Sequence, residues 1–149
     1  MKNIEVIQDE KVLSDIFQDF KKNWKNWSDE QLIDFIYILL EVNIPKKVLT
    51  TGHTSPAQFI CDAFFERFAT ALVIANRTGG KTFGVAIINI LNSIAKDNCE
   101  STQAGATRDQ AKKGMNILKL FLNQKCYLMN WNLNLLNKKL SLKINPKLE

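Results

Sequence analysis

The chain is 149 residues long, with 46% apolar and 23% charged side chains, six glycines and three prolines. This composition supports one globular core and excludes collagenous, low-complexity and wholly disordered chains. Twenty Lys and Arg against fifteen Asp and Glu give a formal charge of +5, which permits a nucleic-acid partner without demonstrating one. No stretch reaches the roughly 18 apolar residues of a bilayer span, because Ala69 to Ala75 is broken by Thr70 and closed by Asn76 and Arg77. Met1 to Asp9 contains Glu5 and Asp9 and no apolar run, so a secretory leader is not expected. Cys61, Cys99 and Cys126 lie far apart with no CxxC pair, and His53 is the single histidine. A disulfide framework, a zinc site and a His-rich metal centre are therefore not expected, and a reducing, cytosolic compartment is.

Between residues 10 and 24, Val12, Leu13, Ile16, Phe17, Phe20 and Trp24 recur at spacings of three and four, which predicts an amphipathic helix. Ser28 is a good N-cap with Asp29 and Glu30 after it. Leu32, Ile33, Phe35, Ile36, Tyr37, Leu39 and Leu40 then predict a second helix stopped by Pro45. The two are expected to pack as a hairpin. Trp24 and Trp27, beside Lys21, Lys22 and Lys25, suit a stacking and phosphate platform for nucleic acid. They fit better as helix-end aromatics that cover core while the lysines stay in water.

Lys46 to Ser55 loses all periodicity and reads as a connecting loop. Ser55-Pro56 suits an N-cap with proline in the first turn, and Phe59, Ile60, Ala63, Phe64 and Phe68 continue at helical spacing. Ala69 to Ala75, with Leu72, Val73 and Ile74, has the composition of a strand buried on both faces of a parallel sheet. Phe83 to Ala95 is apolar nearly all round, as for a helix wedged against a sheet. Glu100 to Thr107 is weakly strand-like, and Asp109 to Asn123 is helical. This order predicts an α/β fold. In the tail, Leu140, Leu142 and Ile144 keep a period of two and suggest a short strand. The expected divisions are a helical N-terminal segment over 1–54, a core over 55–125 and a poorly defined tail over 126–149.

Between the expected strand and helix stands Ala75-Asn76-Arg77-Thr78-Gly79-Gly80-Lys81-Thr82. It approximates the phosphate-binding pattern G-x-x-x-x-G-K-[ST], with Ala75 in place of the leading glycine. Such a loop turns backbone N–H groups inward at a helix N-terminus and so cradles phosphate oxygens. Gly79 and Gly80 permit close approach, Lys81 would reach the β- and γ-phosphates, and Thr82 would offer its hydroxyl to Mg²⁺. Arg77 is either a second cation aimed at the γ-phosphate, as arginine fingers are, or an exposed loop arginine.

The R-x-G-G-K-T loop resembles the ATPase domain of the large terminase subunit of tailed bacteriophages, the motor that packages viral DNA into procapsids. Ser55-Pro56-Ala57-Gln58-Phe59 resembles that family's adenine-contacting segment, and Gly105-Ala106-Thr107-Arg108-Asp109-Gln110-Ala111 resembles its next strand-to-helix element. The resemblance covers about residues 55 to 123. It implies a partial RecA-like P-loop NTPase, with parallel strands and flanking helices, behind the helical segment. By residue it implies Gln58 on adenine, Arg77 as the cis-acting cation, Lys81 on phosphates and Thr82 on Mg²⁺, with ATP as cofactor. It further implies double-stranded DNA, the portal protein and the small terminase subunit as partners, homo-oligomerisation at full length, and the cytoplasm of a bacterial host. Gln58 also reads as an ordinary exposed helix residue, and Thr107 and Arg108 read better as an N-cap and a solvated cation than as DNA contacts.

Nothing after Thr82 fits the acidic Walker B strand, since Asp97, Glu100 and Asp109 stand in polar settings, and no acidic nuclease cluster is present. The expectation is the front portion of a motor that binds nucleotide and hydrolyses little alone. Two alternatives remain. One is a helicase-like P-loop ATPase fragment, whose A-x-x-G-x-G-K-T loop would want glycine where Thr78 stands. The other is a small basic DNA-associated assembly protein that uses the helical hairpin and its lysines.

Overall fold

The computed structural model describes residues 10–48, 50–76, 79–102, 104–105 and 107–125. It divides at Gly80 into two compact units, residues 1–80 and 81–149. Helices α1 (Glu10–Asn23), α2 (Asp29–Leu40) and α3 (Pro56–Phe64) belong to the first, and α4 (Lys81–Ala95) and α5 (Arg108–Lys125) to the second. None of these helices is long and apolar enough to cross a membrane.

In the first unit the expected helices form, and local chemistry sets their ends. A 3-10 turn, Trp24–Asn26, follows α1. Helix α2 opens with a full capping box: the Ser28 hydroxyl accepts from the Gln31 N–H at 3.2 Å, and the Gln31 side chain accepts from the Ser28 N–H at 2.8 Å. The helix ends before Pro45. Glu41 takes the left-handed conformation at φ 55° and donates its N–H to the Tyr37 carbonyl, which closes the last turn. Ser55 caps α3, with Pro56 in its first turn, and this helix ends at Phe64 rather than Phe68.

The apolar stripes of these helices meet in an aromatic cluster. Phe20 and Phe64 are fully buried, with ring centroids 5.6 Å apart, and Phe20 stands 4.2 Å from Phe35 and 4.9 Å from Trp27. Leu32, Ile36 and Ile60 are fully or nearly fully buried as well. Each offset or edge-on ring pair adds about 0.5–1.5 kcal/mol beyond the area that it buries. Helices α1 and α2 touch through Phe17 and Phe20 of α1, both paired to Phe35 of α2.

The second unit packs α5 on α4. Ile87, Ile90, Leu91 and Ile94 of α4 are buried, as is Gly114 of α5. Thr107 caps α5 by accepting from the Gln110 N–H at 3.3 Å.

The expectation of a parallel sheet, and with it the α/β RecA-like architecture, is overturned. Among the described residues the fold is helical and holds no strand. Residues 69–75 are irregular, with Leu72 87% and Ile74 86% exposed. The physical reason is that a strand persists only where a neighbour takes its N–H and C=O groups, and the described residues of Glu100 to Thr107 form no such neighbour. Apolar composition marks a demand for cover but does not name what supplies it. The tail strand at Leu140, Leu142 and Ile144 lies outside the described residues.

Truncating the centre of the cluster should be costly and truncating the exposed run should not. Phe20→Ala is expected to lose about 3–5 kcal/mol in chemical denaturation, and Leu72→Ala to change stability by no more than about 0.5 kcal/mol. A loss of about 2–5 kcal/mol for Leu72→Ala would mean that this run is core and would restore the strand reading.

Candidate functional site

Ala75 and Asn76 lie in the irregular segment and are exposed, while Arg77 and Thr78 lie outside the described residues. The Gly79 N–H donates to the Asn76 carbonyl at 3.2 Å, which closes a turn from 76 to 79. A Cβ on Gly79 would stand 2.6 Å from Asn76 Oδ1 and 3.0 Å from the Ala75 methyl. Only glycine fits there without moving that side chain. Gly80 is different: its φ of 70° is the left-handed region, and a Cβ built on it meets nothing within 4 Å. Its backbone is therefore open to a ligand on that side. The first N–H of the expected cradle, that of Gly79, is already used inside the turn.

Helix α4 begins at Lys81, so its first N–H groups have no partners within the helix and its start carries partial positive charge. Lys81 is half-buried and Thr82 exposed. The phosphate half of the expected site thus fits what is present: an open left-handed glycine, a helix start, an ammonium and a hydroxyl. The metal half is thinner. Asp97, Glu100 and Asp109 are all exposed, and among the described residues no three His, Cys, Asp or Glu side chains come together.

Gln58 is held by its own helix. Its backbone N–H donates to the Ser55 hydroxyl at 3.1 Å, and its side-chain Nε2 donates to Asp62 Oδ1 at 2.8 Å. Asp62 also accepts from Arg67 at 2.9 Å, and Arg67 grips both carboxylate oxygens of Asp29. This network ties the start of α2 to the end of α3, and Gln58 stands at its edge. Nothing in local spacing marks Arg67, which meets Asp29 across 38 residues of sequence.

The aromatic platform for nucleic acid does not form from Trp24 and Trp27. Trp24 packs edge-on against Phe64 at 5.2 Å, and Trp27 packs against Phe20 and Phe35 while its indole N–H donates to Asp19 at 2.9 Å. Both rings are half-buried, so the core-covering alternative describes them. Cys61 is buried against α2, and desolvation pushes its thiol up to about 11, which removes it as a nucleophile at neutral pH.

The Arg67 guanidinium holds the Asp29 carboxyl below its ordinary 3.8, despite some desolvation in the other direction. A lowered native value stabilises the fold above the unfolded value, and that contribution disappears as pH falls through the native one. With the Asp29 side chain 36% and the Arg67 side chain 44% exposed, the cost of Asp29→Asn is screened to about 1 kcal/mol or less. The variant is therefore expected to melt below wild type at pH 6, with the gap closing as pH drops below 3.8. A gap that stays constant down to strongly acid pH would show that the ion pair carries none of it.

Compared with known protein families, characterised proteins and solved structures, the chain matches none.

Proposed function

We propose that this chain is the ATP-binding front piece of a terminase-like DNA-packaging motor and that residues 75–82 take the nucleotide's triphosphate. The observation that carries the reading is Gly80, left-handed and open on its Cβ side, directly before the helix that starts with Lys81 and Thr82. It supports a backbone approach that any side chain at position 80 would strain, followed at once by a helix N-terminus with its partial positive charge and by an ammonium.

In this reading the N–H groups at the start of α4 bind phosphate oxygens, Lys81 neutralises the β- and γ-phosphates, and Thr82 directs its hydroxyl to Mg²⁺. Bound Mg²⁺ would offset charge on the same oxygens. By the resemblance, Arg77 supplies the second cation in cis and Gln58 is the candidate adenine contact. The phosphate contacts come from the loop and the helix start and involve no strand. Because the downstream carboxylates Asp97, Glu100 and Asp109 are exposed and apart from any apolar strand, the chain binds ATP but turns it over slowly by itself. In the assembled motor the partners are double-stranded DNA, the portal protein and the small terminase subunit, at work in the host cytoplasm.

Titration of Mg-ATP into the wild type and Lys81→Ala tests this. A hydrogen bond to a charged group contributes about 1.5–3 kcal/mol, so the variant should bind roughly ten to a hundred times more weakly. Equal affinities, or no binding by the wild type, would remove the phosphate site.

A further inference from the structure

The charge of this chain is not spread evenly. Residues 1–80 carry nine Lys and Arg against eleven Asp and Glu, whereas residues 81–149 carry eleven against four. The whole positive balance therefore belongs to the second unit. Within it, the 39 residues from Gln110 to Leu148 hold eight lysines and no Asp or Glu. Helix α5 contains one acidic residue, Asp109, in its first turn.

On α5, Lys113, Asn116 and Lys119 are exposed and Lys112 is half-buried. Lys112, Asn116 and Lys119 follow one another at spacings of four and three, so they form one stripe along the helix. At 1.5 Å of rise per residue the stripe is about 10 Å long, which matches several steps of a nucleic-acid strand at about 3.4 Å each. From these observations we infer that the exposed stripe of α5 is a contact surface for the phosphate backbone of a nucleic acid.

The lysines supply charge, and Asn116 a side-chain donor of the kind that positions a protein on a sugar-phosphate chain. An anionic bilayer is the other polyanion that such a helix could meet. Binding in a membrane interface requires a free apolar face. Here α5 packs on α4 and Gly114 is buried, and among the described side chains of α5 Leu120, 63% exposed, is the one large apolar side chain in water beside the lysines. That pattern fits a phosphate chain better than an acyl layer. The surface shares no residue with the nucleotide loop and does not rest on that reading.

The test uses the full chain, a short fluorescent DNA duplex and vesicles containing phosphatidylserine, with binding followed across a salt series. The triple variant Lys112→Gln, Lys113→Gln, Lys119→Gln removes three charges from α5. A matched variant, Lys21→Gln, Lys22→Gln, Lys47→Gln, removes three exposed charges from the first unit. Circular dichroism confirms that both remain helical. The α5 variant is expected to lose about tenfold or more in duplex affinity and to flatten the slope of log K against log salt by about two to three. The matched variant and Lys81→Ala should keep wild-type DNA affinity, so a failed nucleotide site would not disturb this result. Equal losses in both triple variants would reduce the effect to net charge and overturn the inference. Wild-type binding to vesicles but not to DNA, or no DNA binding at all, would also overturn it.

Discussion

The first unit depends on one constraint: the apolar stripes of three short helices have to be buried without the help of a sheet. Phe20 meets it by standing among Phe35, Trp27 and Phe64, so one ring from α1 touches residues from both other helices and from the connecting turn. Short helices are marginal in water by propensity alone, and tertiary burial of one face supplies most of their stability. The capping box at Ser28, the Ser55-Pro56 start of α3 and the bridge from Arg67 to Asp29 set the ends and register of those helices. The cluster supplies the reason for them to hold.

What could be read from the sequence follows the range of the interactions involved. The first two helices and the start of α3 were legible because their signals are local: apolar residues three and four apart, Ser28 with Asp29 and Glu30 after it, Ser55 before Pro56. Helix α2 ends at Leu40, the last of its apolar residues, where a left-handed Glu41 closes it ahead of Pro45. The absence of a sheet among the described residues was not legible for a deeper reason. Leu72, Val73 and Ile74 have strand composition, yet a strand depends on a partner elsewhere in the chain, and composition carries no information about that partner. The bridge from Arg67 to Asp29 is equally invisible locally, being an encounter across 38 residues.

The candidate site divides along the same line. The glycine pair was legible as a need for unusual backbone, and the structure gives each glycine a separate reason: crowding against Asn76 at Gly79 and a left-handed φ at Gly80. That Gly79 spends its N–H on Asn76 could not be read from the letters, because it depends on how tightly the turn closes. Gln58 shows the same limit, since its engagement with Asp62 follows from rotamers and not from position. The lysine-rich stretch after Asp109 was visible only as net charge until the helix α5 placed Lys113, Asn116 and Lys119 in water.

The central claim is that a triphosphate settles on the backbone where the glycine turn gives way to α4. Amide chemical shifts of the isotope-labelled chain, followed through a titration with Mg-ATP, report on that backbone directly. The account predicts saturable shifts largest at Gly80, Lys81 and Thr82, with inorganic triphosphate producing the same pattern and adenosine producing none there. Shifts that leave these three amides unmoved while others saturate would contradict it.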